Sequence, residues 1–452
     1  MKNILVIGAG LSASSLIRYL LENSEEQGWK VNIGDLSEEL AKLKVNGHPN
    51  GNAFKFDVND EKQRTEWIKN SDIVVSMLPA SMHFEVAKAC VEYGINMVTA
   101  SYVSKEILTL NDEAEKKNIL LLNEIGVDPG IDHMSAMQVL DRLKDEGCRL
   151  TQFESNTGGL VAPKYDNNPW NYKFTWNPRN VVLAGQGSAS QFLHNGRYKY
   201  IPYHKLFERT ERIKILNLGE FEVYPNRDSL KYMKIYSLEN VETMFRGTIR
   251  RVGYSKAWNV FVQLGLTDDT YVYKESMNHT YRQFINSFTK YETKIPVENK
   301  VAQYLKLDPE SHVMYLLRWT GIFEDEKIGL ENATPAQILQ HLLEQKWTMD
   351  NDDKDMIVMQ HQFVYENKGV MKKLSSSMAV YGEDQTHTAM SITVGTPVAI
   401  AVKMILNGKI KSKGVKIPID KDIYTPILAE LENYNVKFIE EETNYEAPKE
   451  FI

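Results

Sequence analysis

Cysteine and excess positive charge are both scarce in this chain of 452 residues. Only two cysteines occur, Cys90 and Cys148, which argues against a disulfide framework or a thiolate metal site and favours a reducing compartment. The formal net charge of −7 argues against nucleic acid or an anionic membrane as a general partner. Asp132-His133 has no partner set at metal-ligand spacing, so we expect no metal.

Long hydrophobic runs are also missing, and none approaches the length of a transmembrane helix. The chain opens with Met-Lys-Asn and passes directly into an apolar strand, without the hydrophobic segment of a signal peptide. We therefore expect a soluble cytoplasmic protein with no membrane partner. The length suffices for two or three domains.

Short strands and helices alternate through the first part of the chain. Six apolar strands are predicted, at residues 3–7, 30–33, 54–56, 73–77, 96–98 and 119–122. Alternation of this kind indicates a Rossmann-type doubly wound parallel sheet, which we place in residues 1–130.

The remaining residues predict two further parts. Residues 131–393 have strands rich in Val, Tyr and Phe, typical of an α/β substrate domain, with a helical insertion around 270–350. Residues 394–452 predict helices at 396–406 and 426–435, which we expect to pack back on the first domain.

A glycine-rich turn follows the first strand: Gly8-Ala9-Gly10-Leu11-Ser12-Ala13. In a dinucleotide-binding fingerprint Gly8 makes the turn, Gly10 lets the backbone approach the pyrophosphate, and Ala13 allows close helix packing. The helix N-terminus supplies N–H donors for the phosphates. We therefore predict that Gly8, Gly10, Leu11, Ser12 and Ala13 bind a cofactor; the alternative is a merely structural turn.

Asp35 ends the second predicted strand, 25 residues after Gly10. A carboxylate there would accept hydrogen bonds from the ribose hydroxyls and repel a 2′-phosphate, which favours NAD, with NADP still possible. The alternative is an N-cap or solvated turn, since Ser37 and Glu38 follow. The predicted cofactor residues are completed by Asp57, Leu78 and Pro79.

The most unusual segment is Asn123 to His133, which follows the sixth strand. A turn rich in Gly and Pro brings the backbone close to a ligand, and ligands bind at the carboxyl ends of such strands. Three acids and an imidazole in this turn predict a substrate site. His133 by itself is more often a structural histidine.

Other polar residues allow two interpretations. Ser101 and Tyr102 close the fifth strand and offer hydroxyls to a ligand, or else cap a helix and pack. Arg227 and Arg250 carry forks suited to carboxylates, although most exposed arginines bind nothing specific.

Six segments of the chain resemble the saccharopine dehydrogenase family of the L-glutamate-forming type, also called saccharopine reductase. They are VTASYVS at 98–104, NEIGVDPGIDHMSAM at 123–137, GGLVAP at 158–163, NNPWNYKFTW at 167–176, YPNRDS at 224–229 and RGTIRRVGY at 246–254. The resemblance implies a Rossmann domain, an α/β substrate and dimerisation domain, and a small helical domain. It also implies a homodimer.

The resemblance further implies individual roles. Substrate contacts fall on Ser101, Tyr102, Asp128, Arg227, Thr248, Ile249 and Arg250, and catalytic roles on Tyr102 and Asp128. The family commonly has a cysteine where this chain has Thr157. In having an acid at Asp35, this chain resembles the NAD-using animal and plant members of the family, which are fused to an N-terminal reductase. Because this chain begins at the Rossmann strand, we expect it to be monofunctional.

The expected function is oxidoreduction of the CH–NH bond of saccharopine with NAD(P) in lysine metabolism. The products are L-glutamate and 2-aminoadipate 6-semialdehyde. Two alternatives stay open: a carboxynorspermidine-type dehydrogenase of polyamine synthesis, and a nicotinamide-binding sensor without chemistry. The paired arginines and the polar set argue against them.

Overall fold

The computed structural model describes residues 1–446. Two compact units make up the chain. The first comprises Met1–Arg149, Asn367–Gly369 and Met378–Glu441; the second comprises Leu150–Glu366, Val370–Ser377 and the described residues from Glu442 on.

The strands, in chain order, are β1 (Lys2–Ile7), β2 (Trp29–Asp35), β3 (Gly51–Lys55), β4 (Ile73–Ser76), β5 (Asn96–Val98), β6 (Leu120–Leu122), β7 (Arg149–Val161), β8 (Ser190–His194), β9 (Arg197–Ile201), β10 (Glu211–Lys214), β11 (Glu220–Pro225), β12 (Thr243–Arg251), β13 (Asp355–Asn367), β14 (Val370–Tyr381), β15 (Gly414–Lys416) and β16 (Ile439–Asn444).

The α-helices are α1 (Ser14–Glu22), α2 (Ser24–Gln27), α3 (Glu38–Val45), α4 (Glu61–Lys69), α5 (His83–Tyr93), α6 (Lys105–Leu108), α7 (Asn111–Lys116), α8 (Ile131–Asp145), α9 (Pro178–Val182), α10 (Lys231–Ile235), α11 (Tyr254–Gln263), α12 (Tyr281–Asn286), α13 (Val297–Leu305), α14 (His312–Thr320), α15 (Pro335–Trp347), α16 (Ala389–Leu406) and α17 (Lys421–Leu431).

The first unit is built on a seven-stranded parallel sheet in the order β15-β6-β5-β4-β1-β2-β3. Its central strands β1 and β4 are buried along nearly their whole length, as the apolar runs predict. The chain winds outward from β1 to β3, then returns to β4 and winds the other way. The strand order therefore reverses between β1 and β4, where ligands bind in such sheets. The predicted Rossmann-type fold is confirmed.

Six of the seven strands were predicted, and β15 was missed. It has only three residues, and it extends the sheet by pairing with β6 at the edge. The Gly414 N–H donates to the Ile119 carbonyl at 2.8 Å, and the Asn123 N–H to the Lys416 carbonyl at 2.8 Å. Its sequence, Gly-Val-Lys, contains no apolar run like the Leu-Leu-Leu of β6, so only its pairing with β6 makes it a strand.

The second unit is built on a mixed nine-stranded sheet, although the segments Met378–Tyr381 of β14 and Ile439–Glu441 of β16 are counted in the first unit. Its main path is β10-β11-β12-β7-β13-β14-β16, and β8 joins β12 while β9 pairs with β8. The pair β7–β12 is parallel, whereas β10–β11 and β11–β12 are antiparallel. Four helices, α12 to α15, lie in the region predicted to be a helical insertion.

The predicted boundary at residue 130 lies before α8, whereas the first compact unit runs to Arg149. Helix α8 packs against α17, also in the first unit, which explains why it stays there. Both α16 and α17, the helices expected to return to the first domain, lie within that unit.

The expectation that no apolar run approaches a membrane-spanning length was wrong for helix α16. This helix has 18 residues and a mean hydropathy of 1.7, so it is long and apolar enough to cross a membrane by length and composition alone. However, 72% of it is buried inside the protein. It packs along α1. One helix of this kind is weak support for a membrane span, because a buried core helix has the same composition.

The contact between α16 and α1 is close at Gly395. A Cβ there would lie 2.7 Å from the Ser12 carbonyl oxygen and 2.9 Å from the Leu16 nitrogen. One turn earlier, the Ser391 hydroxyl accepts the Ser15 N–H at 3.0 Å. Helix α16 therefore supports the backbone of the glycine-rich loop and the first turn of α1.

We predict that Gly395→Ala destabilises the protein. Overpacking against backbone atoms costs about 1–3 kcal/mol, more than the roughly 1 kcal/mol that alanine gains in a helix. Thermal unfolding measures the loss, and NADH fluorescence titration should show weaker cofactor binding. The control is Val394→Ala, the half-exposed neighbour on α16. Equal melting temperatures and NADH affinities for wild type and Gly395→Ala would contradict the prediction.

Candidate functional site

The glycine-rich loop leaves β1 at the point where the strand order reverses. Gly8 has φ +103°, and a Cβ on it would lie 2.7 Å from the Met77 carbonyl oxygen, so only glycine fits. Gly10 precedes a 3-10 turn (Leu11–Ala13), and a Cβ on it would meet no atom within 4 Å. The loop is therefore tight on the sheet side and open on the other side, as a pyrophosphate requires.

Asp35 lies beside this loop at the carboxyl end of β2. Its Oδ2 accepts the Ala9 N–H at 2.7 Å, and its Oδ1 accepts the Ser37 N–H at 2.9 Å. The helix cap at α3 is Ser37, whose hydroxyl accepts the Leu40 N–H. Asp35 therefore links the glycine-rich loop to the start of α3 and places a carboxylate beside that loop; its contact with a ribose stays a prediction.

The other predicted cofactor residues occupy the same edge of the sheet. Asp57 follows β3 and accepts the Asn59 N–H at 2.9 Å. Leu78 and Pro79 follow β4, where the Pro79 carbonyl accepts the Met82 N–H. Leu11 is exposed, with 74% of its surface accessible. These residues come together at the carboxyl ends of β1 to β4, and their contacts with a cofactor stay a prediction.

The segment from Asn123 to His133 forms a largely buried turn after β6 and the first three residues of α8. Gly130 has φ +147°, and a Cβ on it would lie 2.1 Å from the Gly126 carbonyl oxygen. The Gly126 N–H donates to the Pro129 carbonyl at 2.9 Å, which closes the turn. Asp132 caps it by accepting the Gly130 N–H at 2.6 Å. Asp128 is half-buried on this fixed backbone.

Glu124 holds the loop after β5 against this turn, a role the sequence analysis missed. Its N–H donates to the Ser101 carbonyl at 3.0 Å, and its Oε1 accepts the Val103 N–H at 3.1 Å. Its Oε2 lies 2.9 Å from His133 Nε2, and both side chains are buried. Glu124 thus forms hydrogen bonds with the residues on both sides of Tyr102, one of the predicted catalytic residues. The left-handed backbone at Glu124 was the signal available only in the structure.

Ser101 and Tyr102 lie at the carboxyl end of β5, next to the Asn123–His133 turn. Tyr102 is 46% exposed. Ser101 is half-buried, and its Oγ lies 2.7 Å from His83 Nε2. The first unit therefore brings Ser101, Tyr102 and Asp128 to one edge of its sheet.

In the second unit, Arg250 of β12 is buried among aromatic rings. Its guanidinium carbon lies 5.1 Å from the Tyr172 ring centroid, 5.4 Å from that of Tyr254 and 5.9 Å from that of Tyr224. Nη1 donates to the Ile249 carbonyl at 2.9 Å, whereas Nε is buried without a hydrogen-bond partner. Across residues 1–446, no carboxylate lies within 4.0 Å of this guanidinium.

The acid nearest in register to Arg250 is already engaged. Glu222 stands opposite Arg250 in the β11–β12 ladder. Its carboxylate accepts the Gly253 N–H at 2.9 Å and the Ser255 N–H at 2.5 Å, at the start of α11. Arg250 therefore keeps a buried positive charge that this acid does not neutralise, which is costly unless an anion binds.

The side chains of Thr248 and Ile249 point to opposite faces of the sheet, because side chains alternate along a strand. Thr248 is half-buried on the same face as Arg250. Ile249 is fully buried on the opposite face, so the predicted substrate contact of its side chain does not fit this geometry. Only its carbonyl, which accepts from Arg250, borders the Arg250 face. Arg227 is exposed in the loop after β11, with φ +37°.

The aromatic segment at residues 167–176 lies in the core of the second unit. Trp170 stacks on Phe261 with ring centroids 5.7 Å apart, and its indole N–H donates to the Leu316 carbonyl at 3.0 Å. Tyr172 faces both Trp347 and Arg250. The segment therefore forms part of the wall around Arg250. In the described part of the chain, no group of three or more His, Cys, Asp or Glu side chains could hold a metal.

We predict that Glu124→Ala lowers the free energy of unfolding by about 2–4 kcal/mol, because it removes the buried hydrogen bonds that the Glu124 carboxylate makes with the Val103 N–H and with His133 Nε2. Guanidinium unfolding measures the change. Glu66→Ala, on the exposed side of α4, is the matched control and should stay within about 0.5 kcal/mol of wild type. If the two variants lost equal free energy of unfolding, Glu124 would not hold the loop after β5 against the turn.

Two family models match this chain. One is described as the saccharopine dehydrogenase NADP binding domain and matches residues 4–122; the other, the saccharopine dehydrogenase C-terminal domain, matches residues 126–436. The first match confirms the predicted nicotinamide dinucleotide-binding domain. The choice between NAD and NADP stays a prediction.

Relatives and solved structures agree with these models. The alpha-aminoadipic semialdehyde synthase, mitochondrial, of Rattus norvegicus is 33% identical over 97% of this chain, but the chain spans only 47% of that protein. The saccharopine dehydrogenase (NADP+, L-glutamate-forming) of Schizosaccharomyces pombe is 30% identical over 98% of this chain and 99% of its own length.

Apo histidine-tagged saccharopine dehydrogenase (L-Glu forming) from Saccharomyces cerevisiae superimposes with a TM-score of 0.88 at 28% identity, over 98% of this chain and 100% of that chain. Homospermidine synthase from Legionella pneumophila, in complex with NAD, has a TM-score of 0.56 at 10% identity, over 100% of this chain and 94% of that chain. This likeness shows a shared fold alone. The resemblance read from the six sequence segments is confirmed, and the chain belongs to the saccharopine dehydrogenase family.

Proposed function

We propose that this protein is a saccharopine dehydrogenase of the L-glutamate-forming type. It oxidises the secondary amine that joins the lysine and glutamate parts of saccharopine, using a nicotinamide cofactor, and the products are L-glutamate and 2-aminoadipate 6-semialdehyde. Support comes from the family, from relatives with this activity in their names, and from one structural observation, the unneutralised Arg250.

Arg250 supports this substrate because it is a buried cation that no carboxylate of the described chain neutralises. Its guanidinium stays protonated, and a planar fork binds a carboxylate through two parallel hydrogen bonds. Saccharopine has three carboxylates. The face of β12 that carries Thr248 and Arg250 is therefore proposed to bind one of them.

Arg227 is proposed to bind a different carboxylate. The β11–β12 ladder ends at the pair Pro225–Gly247, and Arg227 lies in the loop two residues further on, with φ +37°. Gly247 is three residues from Arg250, which at a rise of ~3.4 Å per residue is about 10 Å along the strand. Such a spacing suits two separate carboxylates better than two forks on a single carboxylate.

The chemistry requires oxidation followed by hydrolysis. A bound nicotinamide cofactor would accept a hydride from the lysine-derived carbon beside the nitrogen. Water then adds to the substrate imine, and the C–N bond breaks to release glutamate and the aldehyde. Asp128, on its rigid turn, is proposed to take a proton from the substrate ammonium or from this water. Tyr102 is proposed to orient the amine or the water.

Thr157 limits the possible proton donors. It pairs with Thr248 in the β7–β12 ladder, on the same face as Arg250. A threonine hydroxyl does not ionise near neutral pH, so it cannot replace a thiol in acid–base chemistry. Asp128 is therefore proposed to carry the proton transfer without help from a thiol at position 157.

The two alternatives fit the second unit less well. A polyamine-type substrate carries one amino-acid carboxylate fewer, which leaves one of Arg227 and Arg250 without an anion. A sensor without chemistry needs the loop at Gly8 but not a buried Arg250. The likeness to homospermidine synthase concerns the fold alone.

We also propose a cytoplasmic homodimer. Neither Cys90 nor Cys148 forms a disulfide, which suits a reducing compartment. Cell fractionation and sedimentation of the purified protein test the two proposals separately.

We predict that Arg250→Met raises the KM for saccharopine at least about 100-fold without lowering the melting temperature. The substitution removes a charge-assisted fork worth about 3 kcal/mol, but it also relieves an unpaired buried charge. Absorbance of NADH and thermal unfolding measure the two effects. A structural arginine would show the opposite pattern, with lower stability and unchanged KM.

Arg251→Met is the matched control for Arg250→Met. Arg251 follows on the opposite face of β12, where it lies over the Phe221 ring, donates to the Leu218 carbonyl and has its Nε 3.9 Å from Asp166 Oδ2. Its replacement should leave KM within about threefold, because successive side chains of a strand point to opposite faces of the sheet. A KM increase as large as that of Arg250→Met would refute the carboxylate assignment.

We predict that the protein uses NAD at least about tenfold better than NADP in kcat/KM, because Asp35 repels a 2′-phosphate by roughly 1.4 kcal/mol or more. Asp35→Asn should raise kcat/KM with NADP about tenfold and change that with NAD less. Glu38→Gln, one turn away on α3 and paired with Lys42, is the control. If wild type prefers NADP, the assignment of Asp35 is wrong, although the family stands.

A further inference from the structure

His83 connects the core of the first unit to Ser101 through two hydrogen bonds. It is the first residue of α5 and is almost completely buried. Its Nδ1 lies 2.8 Å from Ser76 Oγ, at the end of β4, and its Nε2 lies 2.7 Å from Ser101 Oγ, after β5. A chain of three side chains therefore runs from the interior to a predicted substrate contact.

The His83 imidazole, in the middle of these three hydrogen-bonded side chains, is neutral. Burial lowers the pKa of His83 to about 4, because the charged form loses its hydration. A cation is also unfavourable at the N-terminus of α5. Near neutral pH one ring nitrogen therefore carries a proton and donates, and the other accepts.

The direction of the chain follows from Ser76. Its hydroxyl is fully buried, and His83 is its partner. A buried donor without an acceptor costs more than an acceptor with a spare lone pair. The Ser76 hydroxyl therefore donates to Nδ1, the proton resides on Nε2, and Nε2–H donates to Ser101 Oγ.

We propose that His83 is a positioning residue that turns the Ser101 hydroxyl outward, as a donor to a carboxylate oxygen of the substrate. The proposal rests on the proposed function. Because Ser101 Oγ already accepts from His83, its own O–H is the group left to bind the ligand. Each donor in such a chain strengthens the next one, so Ser101 donates more strongly than an isolated hydroxyl.

Two neutral replacements of His83 separate the two ends of the chain. His83→Asn keeps a polar atom near the position of Nδ1 and loses the contact with Ser101. His83→Gln keeps one near the position of Nε2 and loses the contact with Ser76. Each variant removes one buried hydrogen bond, so a purely structural histidine would make the two equivalent.

The experiment measures saccharopine oxidation through NADH absorbance, and cofactor affinity through NADH fluorescence. Ser101→Ala and His83→Asn should each raise the KM for saccharopine about tenfold, with kcat within about twofold, because they remove substrate binding rather than transition-state binding. His83→Gln should restore most of that loss. The double variant His83→Asn/Ser101→Ala should match Ser101→Ala alone. The NADH dissociation constant should not change.

Equal KM values for His83→Asn and His83→Gln, or additive effects in the double variant, would overturn the proposal. Should neither variant fold, Ser76→Ala decides: the ring loses its fixed tautomer, and KM should rise about two- to fivefold. An unchanged KM would overturn the positioning role. If wild type binds NADH but oxidises no saccharopine, the proposed function fails instead, and this inference fails with it.

Discussion

The close approach of backbone to backbone around the first glycine-rich turn is the constraint on which the first unit depends. Gly8 touches the carbonyl of Met77 at the end of β4, and Gly395 of α16 touches the carbonyl of Ser12 on the other side. The turn is thus held between the neighbouring strand and a C-terminal helix, neither of which leaves room for a side chain. A loop fixed in this way presents its open side to a ligand without ordering cost at binding.

In the second unit a buried charge has the corresponding importance. Arg250 is surrounded by three tyrosine rings, whose negative faces stabilise a cation without neutralising it. Glu222, which could have neutralised Arg250, instead holds the start of α11. The unit therefore stays folded around a positive charge and retains the capacity to attract an anion.

Some local patterns were read wrongly because a tertiary contact decided them. Thr396-Pro397 has the signature of a helix start, but α16 begins at Ala389, capped by Thr388, and Pro397 lies inside the helix. Packing against α1 outweighs the missing hydrogen bond at proline. Glu124 and His83 were overlooked for a similar reason. The partners of Glu124 are Val103 and His133, and those of His83 are Ser76 and Ser101. These partners are up to 21 residues away in the sequence, and no spacing rule connects them.

The sequence by itself determined the doubly wound sheet, the position of the dinucleotide loop and the family, because apolar periodicity, glycine positions and six ordered motifs are local properties. It also indicated Ser101, Tyr102, Asp128 and Arg250 as the residues to examine. Tertiary structure alone decided that Ile249 faces away from Arg250, that Glu222 does not neutralise this arginine, and that His83 holds Ser101. Each of these depends on strand register or on burial, which arise only when distant segments pack together.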